Sequence, residues 1–149
     1  MTETTLTMPD FNLMHFTPYR LSVAAQKISE ELARLYRDSY DITNPQWRVL
    51  AHLAHSGEVS VREIEARVAM EKSKVSRAAS RLEAAGYIAK SINDSDRRLV
   101  KLSLTPKGKA LMVELLALAQ SYQQEIEKRL GATFAGLELG LEKILGDET

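Results

Sequence analysis

Residues 60–108 of this chain read SVREIEARVAMEKSKVSRAASRLEAAGYIAKSINDSDRRLVKLSLTPKG, and this stretch decides the fold. Its periodicity predicts two short helices with a tight break between them, followed by two strands joined at a polar tip. The predicted elements are, in order, residues 60–69, 72–85, 87–91, 93–98 and 99–104. A helix, a turn, a second helix and a basic hairpin form an arrangement that places one helix in a DNA major groove and a β-hairpin beside it.

Local signals mark the ends of both helices. Ser60 and Glu63 have the spacing of a capping box, in which each side chain accepts a hydrogen bond from the other residue's backbone N–H. Val59 and Ile64 occupy the hydrophobic staple positions around it, and Gly86 supplies a left-handed residue that ends the second helix. Apolar residues at helical spacing predict the core-facing side of this second helix: Val75, Ala78, Ala79 and Leu82. Because basic residues fall largely between them, the alternatives are a DNA-reading helix and an ordinary amphipathic helix with a solvated basic face.

Charge is distributed unevenly along the chain. The 149 residues contain 20 basic and 20 acidic side chains, so the net charge is zero. Residues 71–109 nevertheless hold ten Lys or Arg against four acids, a local net charge of +6 that leaves −6 for the rest. A neutral chain with a basic central module and acidic flanks suits an anionic partner that touches only one face.

The central stretch resembles the winged helix-turn-helix of the MarR family of bacterial transcriptional regulators. In length and element order the resemblance extends over residues 18–145, although Ser95 stands where family members often carry a further basic residue. It implies a mainly α fold with a small β-hairpin wing, in which a winged helix-turn-helix is joined to a helical dimerisation region. The matching motifs are SKVSR at 73–77, LEAAGYI at 82–88, DSDRR at 94–98 and LSLTPKG at 102–108.

The flanking sequence predicts four further helices, over residues 18–39, 45–55, 106–130 and 133–145. Three prolines mark helix starts, each after a residue suited to capping: Thr17-Pro18, Asn44-Pro45 and Thr105-Pro106. The chain is predicted to be one domain, residues 1–149. Within it the predicted divisions are a DNA-binding lobe at 45–107 and a helical dimerisation region at 11–40 and 106–149.

The C-terminal helices are more apolar than one small domain needs, which predicts that part of their surface is buried against a partner. Family members dimerise through their first and last two helices. The resemblance therefore implies a homodimer that presents two recognition helices about one DNA turn apart to a pseudo-palindromic operator in double-stranded DNA. The alternative is a monomeric helical bundle with a thick core.

The second helix carries six of the predicted DNA-binding residues: Lys72, Ser73, Lys74, Ser76, Arg77 and Arg81. Arg77 has the chemistry to form two hydrogen bonds with a guanine, and the serines suit bases or phosphates. Arg81, further along the helix, suits a backbone phosphate or an intramolecular ion pair. For each arginine the alternative interpretation is a surface ion pair.

The predicted wing adds two further DNA-binding residues, Arg97 and Arg98. One of these side chains is expected to enter the minor groove or to meet its phosphates, because narrow A·T-rich grooves attract arginine. Asp94 and Asp96 are acceptors unsuited to DNA. Their predicted role is to support the wing, by accepting turn N–H groups and orienting an arginine.

Members of the family bind small ligands, often phenolic or aromatic carboxylates, between the dimerisation helices and the DNA-binding lobe. The candidates here are His15, Tyr19, Arg20, Trp47, Arg48 and His52. An arginine with a tyrosine and a histidine suits a carboxylate and a phenol, and ordinary helix packing explains the same residues at least as well. His52 and His55 stand three apart, but no cysteine or close carboxylate pair completes a metal site, so no metal or other cofactor is predicted.

Composition bounds the function further. The chain has no cysteine, which excludes disulfides, thiolate ligands and thiol redox sensing. Neither a transmembrane stretch of roughly 18 apolar residues nor a secretory signal is present, so no membrane partner and a cytoplasmic location are expected. No Walker loop, nucleophile elbow or dinucleotide fingerprint occurs, so an enzyme is not expected.

The sequence thus predicts a sequence-specific DNA-binding transcriptional regulator, a repressor released by a small ligand. The alternative is a winged-helix protein–protein interaction module that does not bind DNA.

Overall fold

The structure, a computed structural model, describes residues 6–68, 70–92, 95–96 and 100–146. It confirms the predicted fold class, because helices predominate and the strands form one small antiparallel sheet. The helices end within two residues of the predicted bounds. The elements are α1 (Thr17–Tyr40), α2 (Asn44–Ser56), β1 (Val59–Ser60), α3 (Val61–Arg67), α4 (Lys72–Ala84), β2 (Ile88–Ile92), β3 (Val100–Leu104), α5 (Pro106–Leu130) and α6 (Phe134–Leu145).

The cap of α2 differs from the prediction, because Thr43 and not Asn44 precedes the helix. Thr43 Oγ1 accepts a hydrogen bond from the Gln46 N–H at 3.3 Å, and Gln46 Oε1 accepts one from the Thr43 N–H at 3.0 Å. This complete capping box makes Asn44 the first helical residue and Pro45 the second. Proline is tolerated there because the first turn of a helix requires no backbone donor.

The start of α1 shows the same shift by one residue. Phe16 is the N-cap and Thr17 is already helical, so the predicted Thr17 cap is wrong, and the Phe16 side chain makes no capping hydrogen bond. At α5 the prediction is confirmed, since Thr105 Oγ1 accepts from the Gly108 N–H at 3.0 Å.

The sheet contains a strand that the sequence pattern did not indicate. β1 pairs antiparallel with β3, Val59 opposite Leu102 and Ser60 opposite Lys101, and the strand order is β1–β3–β2. In the wing hairpin Ile88 lies opposite Leu104 and Ile92 opposite Val100. Because β1 leads directly into α3, it ties the base of the wing to the helix-turn-helix.

Ser60 caps α3 through only half of the predicted capping box. Its Oγ accepts a hydrogen bond from the Glu63 N–H at 3.1 Å, as expected. The Glu63 carboxylate, however, lies 3.6 Å from Arg67 Nη2 one helical turn further on. The carboxylate thus turns toward a full positive charge on the helix surface instead of the Ser60 N–H.

The hydrophobic core lies between α2, α3, α4 and the sheet. Leu50, Leu53, Ile64, Leu82 and Leu102 are each no more than 1% exposed. The core-facing side predicted for α4 is confirmed, since all four of its apolar residues are buried: Val75, Ala78, Ala79 and Leu82. α4 is therefore anchored by its apolar side and presents its polar side outward.

Tyr36 joins α1 and α5 to this core. Its ring centroid lies 4.7 Å from that of Trp47, and its hydroxyl donates to the Leu115 carbonyl at 3.3 Å. Tyr36 is fully buried, and burial raises the pKa of its hydroxyl. The second half of α1 and the first half of α5 thus belong to the same packed body as the winged helix.

The two ends of the chain are packed differently. Every residue from 6 to 28 is exposed, and α6 contains no buried residue. We call these two stretches, residues 6–28 and α6, the terminal arms. They expose large apolar side chains, which include Phe11, Met14, Val23, Leu139 and Ile144. Among the described helices, none combines the length and apolar character needed to cross a bilayer.

Candidate nucleic-acid interface

The outer side of α4 carries the residues predicted to contact DNA. Lys72, Ser73, Lys74, Ser76, Arg77 and Arg81 are all exposed. At 100° per residue, Ser73, Arg77 and Ser80 are the polar residues of α4 that point most directly away from the buried side. Ser80 was not among the predicted contacts, although its position seven residues after Ser73 already placed it on the same side of the helix.

The cations of α4 are not neutralised by any described residue. Among the described residues, no carboxylate lies within ion-pair distance of the following four: Lys72, Lys74, Arg77 and Arg81. Some cations elsewhere are paired, as in the Arg67–Glu63 contact at 3.6 Å and the Arg129–Glu31 contact at 3.2 Å. The alternative interpretation of Arg77 and Arg81 as surface ion pairs therefore finds no partner in the described part of the chain.

The start of α4 concentrates positive charge. Glu71 is the N-cap but its side chain makes no capping hydrogen bond, and the first turn contains Lys72 and Lys74 without an acidic residue. The N-terminus of a helix carries about half a positive charge, so lysines there are mildly unfavourable unless an anion is bound. The first turn is suited to an anionic partner more than to the stability of the helix itself.

A cleft of about 440 Å³ separates α4 from the N-terminus of α2. Its lining contains three cations and no carboxylate: Thr43, Pro45, Gln46, Lys74, Arg77, Ala78 and Arg81. Lys74, Arg77 and Arg81 thus lie along one side of α4 and converge on the start of α2. Thr43 and Gln46 were not predicted site residues, because their proximity to α4 depends on how α2 packs.

The wing is described only in part. Arg97, Arg98 and Asp94 lie outside the described residues, so their predicted roles stay predictions. Asp96 is partly buried. At the base of the wing two lysines form exposed ion pairs, Lys90 with Glu83 and Lys101 with Glu58, each at 3.6 Å. These two lysines are thus paired, and α4 is the main described source of unpaired positive charge in this stretch.

The residues predicted to bind a small ligand have varied surroundings. His15, Tyr19 and Arg20 are exposed in the N-terminal arm. His15 Nδ1 lies 3.2 Å from the side-chain amide nitrogen of Asn12. Within the described part of one chain, no side-chain hydrogen bond or ion pair joins these three residues to the other candidates, so the predicted site stays a prediction.

The three candidates on α2 take part in intramolecular packing. Trp47 packs on Tyr36, while Arg48 donates to the Val68 carbonyl at 3.2 Å and to Ser29 Oγ at 3.4 Å. Burial, followed by the nearby charges of Arg67 and His55, lowers the pKa of His52. In the described part of the chain no group of three His, Asp or Glu side chains is arranged to hold a metal ion.

An apolar hollow of about 440 Å³ opens between α2, β3 and α5. Its walls are Leu53, Ala54, Gly57, Glu58, Ser103, Leu104, Lys109, Met112, Val113 and Leu116. Val113 is 71% exposed although it is apolar. The sequence contained a signal for this hollow, since Val113 and Leu116 stand beside the main apolar stripe of α5.

Comparisons with known proteins agree with this geometry. A model of the MarR family matches residues 40–99. The transcriptional repressor MdtR of Bacillus subtilis is 36% identical over 105 residues, which span 70% of this chain and 67% of the relative. The multiple antibiotic resistance protein MarR of Salmonella typhimurium is 30% identical over 128 residues, 85% of this chain and 89% of that protein.

Solved structures lead to the same family. Bordetella bronchiseptica BpsR, whose DNA binding is regulated by 6-hydroxynicotinic acid, is 25% identical with a TM-score of 0.78, covering 95% of this chain and 100% of that one. The apo form of Escherichia coli MarR is 28% identical with a TM-score of 0.69, covering 85% of this chain and 95% of that one. The named relatives are regulators of transcription and not enzymes. The chain belongs to the MarR family of transcriptional regulators.

Proposed function

We propose that this regulator is a homodimer that binds a pseudo-palindromic operator and represses transcription until a small ligand releases it. The observation that carries the proposal is the set of four cations on α4 that have no partner among the described residues. Exposed cations with no intramolecular partner on the outer side of a helix suit the phosphates and base edges of DNA. Such a protein acts where the DNA is, in the bacterial cytoplasm.

The outer side of α4 and the cleft beside it would have different roles in DNA binding. Ser73 and Arg77 point away from the core, so in a major groove they would face base edges, where Arg77 can form two hydrogen bonds with guanine. Lys74 and Arg81 line the cleft beside α2 and would hold a backbone phosphate there. Arg97 and Arg98 of the wing would contact the neighbouring minor groove, with Asp94 and Asp96 supporting the turn.

Dimerisation is supported by what the terminal arms leave exposed. Leu139 and Ile144 of α6 are 55% and 63% exposed, and Phe11 of the N-terminal arm is also 63% exposed. Apolar surfaces of this kind are normally covered by a partner. A two-fold dimer would bury them and set the two copies of α4 about 34–36 Å apart, the spacing of successive major grooves on one side of DNA.

A small ligand is supported by the relative BpsR, which responds to 6-hydroxynicotinic acid, and by the apolar hollow beside α5. The hollow has the size and apolar walls of a site for an aromatic ring. A ligand seated there would touch β3 and α5 together, the two elements that Thr105 joins. The six residues predicted from sequence, among them Trp47 and Arg48, remain an alternative location.

The test begins with duplexes that the purified protein enriches from a random pool. Fluorescence anisotropy then compares the enriched duplex with a random one as the salt concentration rises. We expect tighter binding to the enriched duplex and a steep salt slope, since six to ten phosphate contacts cost about 10³–10⁵ in affinity between 50 and 200 mM salt. A winged-helix interaction module without DNA binding would enrich no sequence and show no salt slope.

A further inference from the structure

The segment Thr105-Pro106-Lys107-Gly108 joins the start of α5 to the end of α4, across about twenty residues of wing. Thr105 Oγ1 donates to the Gly86 carbonyl at 2.6 Å, and the Thr105 N–H donates to the Tyr87 carbonyl at 3.0 Å. The same Oγ1 accepts from the Gly108 N–H at 3.0 Å. A single threonine therefore caps α5 and also satisfies a carbonyl at the exit of the recognition helix.

Lys107 adds a charged contact to the same place. Its Nζ donates to the carbonyl of Ala85, the C-cap of α4, at 2.7 Å and lies 4.8 Å from the centroid of the Tyr87 ring. The C-terminus of a helix carries a partial negative charge and unsatisfied carbonyls, so an ammonium there is held by both. The face of the Tyr87 ring also attracts this ammonium.

Gly108 shows how closely the two elements approach. A Cβ placed on this residue would overlap the Tyr87 carbonyl oxygen, and its φ is not in the left-handed region. The glycine is therefore required by space and not by backbone conformation. The first turn of α5 rests directly on the backbone that leaves α4.

We infer that Lys107 and Thr105 are positioning residues for DNA reading, which fix the direction in which α4 presents its outer side. This inference rests on the proposed DNA-binding function. The buried side of α4 packs the helix onto the core. The contacts of Lys107 and Thr105 add a hydrogen-bonded attachment of its C-terminal end to α5.

Lys107 and Thr105 contact the C-terminal end of α4, far from the end that would read the bases, so their role differs from a direct contact with DNA. Thirteen residues at 1.5 Å each place Ala84 roughly 18 Å from Lys72, where base edges would be read. A small tilt at the anchored end would therefore displace the reading end. Hydrogen bonds to bases depend strongly on geometry, whereas attraction to phosphates tolerates displacement. Loss of the anchor should thus reduce discrimination between sequences more than it reduces general affinity for DNA.

The experiment replaces Lys107 by Met, which keeps a long unbranched side chain and removes the ammonium. Affinities for the enriched and random duplexes are measured across salt, below the melting transition of each variant. We expect about tenfold weaker binding to the enriched duplex, equivalent to removing one good base contact, with an unchanged salt slope and unchanged affinity for random duplex. Lys107→Arg should restore discrimination, because guanidinium retains the charge and the donor.

Matched variants separate the other outcomes. Lys128→Met removes the same charge from the far end of α5 and should leave discrimination intact, while Thr105→Ser keeps the hydroxyl that Thr105→Val loses. If Lys107→Met weakens both duplexes equally and lowers the salt slope, Lys107 is a phosphate contact and the inference is wrong. Unchanged discrimination in both Lys107→Met and Thr105→Val also overturns it. Failure of the proposed function would appear differently, as a wild-type protein that binds neither duplex.

Discussion

The winged helix-turn-helix lobe and the terminal arms expose different kinds of side chain. In the lobe, built from α2 to β3, apolar side chains such as Leu50 and Ile64 are fully buried, whereas the cations of α4 find no carboxylate among the described residues. The arms expose their apolar side chains, and Arg129 just before α6 is paired with both Glu31 and Glu125.

This contrast supports the partner that we propose for each region. Cations that pair with no described carboxylate on a well-packed lobe favour a polyanion as the partner. A bound polyanion would supply the missing negative charge. Exposed apolar side chains on the terminal arms favour a protein surface as the other partner. The chain therefore carries two surfaces that we expect partners to cover, and each can be disrupted separately. The expected effects decrease from the removal of a whole helix to the titration of one carboxylate.

The largest effect should follow from removing α6. Deleting residues 133–149 takes away Phe134, Leu137, Leu141 and Ile144, none of which is fully buried within one chain. The lobe should stay folded, but the protein should become monomeric and lose the effective concentration of a linked second site, which is worth about 10²–10⁴ in operator affinity. Sedimentation, circular dichroism and a half-site titration measure the three quantities. A truncated protein that remains dimeric would place the interface in α1 and α5 alone.

Leucine-to-alanine changes in the packed body and in an arm should differ sharply. The side chain of Leu115 is fully buried, so Leu115→Ala should lower the free energy of unfolding by about 2–5 kcal/mol. Leu139 is 55% exposed, and Leu139→Ala should leave the unfolding of the lobe nearly unchanged while weakening dimerisation. Urea unfolding and sedimentation of both variants check this. Equal decreases in unfolding free energy would show that α6 belongs to the core.

The sequence predicted those parts of the structure that depend on local periodicity. The buried side of α4 followed from the spacing of Val75, Ala78, Ala79 and Leu82, and the helix bounds followed from prolines and glycines. A two-residue strand such as β1 has no periodicity, so its pairing with β3 was missed. The Thr43 cap was missed because proline is tolerated at either of the first two helical positions.

The sequence predicted the site residues that lie together on one helix and missed those that packing brings together. The outer residues of α4 lie on one element, so their common exposure could be read from the sequence. The cleft with Thr43 and the contact of Lys107 with Ala85 join residues more than twenty positions apart. The motif around Lys107 was recognisable, but which carbonyl it satisfies depends on how α5 meets α4.

The unpaired charge on the lobe should be detectable through Arg77. Arg77→Ala should weaken binding to the enriched duplex by about 1–3 kcal/mol and relax the preference at one base pair of each half-site. Arg67→Ala removes the same charge from α3, but Arg67 is paired with Glu63 and should matter less. Anisotropy with single-base variants of the enriched duplex measures both. If Arg77→Ala weakens enriched and random duplex by the same factor, Arg77 contacts a phosphate and not a base.

The wing should contribute general affinity more than discrimination. Arg98→Ala should weaken binding to all duplexes and reduce the salt slope by roughly 1 for each phosphate that the protein no longer neutralises, or about 2 in a two-fold dimer. The measurement is the slope of log affinity against log salt for wild type and variant. An unchanged slope with unchanged affinity would assign Arg98 to an intramolecular role within the wing.

The smallest effect concerns the balanced charges near the arms. The Tyr122 hydroxyl donates to Glu31 Oε2 at 2.5 Å, and Arg129 Nη1 lies 3.2 Å from the same oxygen, so α5 is held to α1. The hydrogen bond from Tyr122, helped by Arg129, holds the pKa of Glu31 below its ordinary value. Burial, together with Glu31, raises the pKa of Tyr122 to about 12.

Because folding lowers the pKa of Glu31, its contribution to stability is fully present above the ordinary value of 4.5 and is lost as the pH falls through the lower folded value. Wild type should therefore melt slightly above Glu31→Gln at neutral pH, and the difference should vanish in acid. Melting curves of both proteins between pH 7 and about pH 3 measure it. Glu114→Gln, which alters an exposed carboxylate on α5, should show no such closing difference. If the difference in melting temperature between wild type and Glu31→Gln stays constant down to acid pH, the hydrogen bond from Tyr122 does not depend on the charge of Glu31. The balance of charges that we ascribe to this region is then wrong.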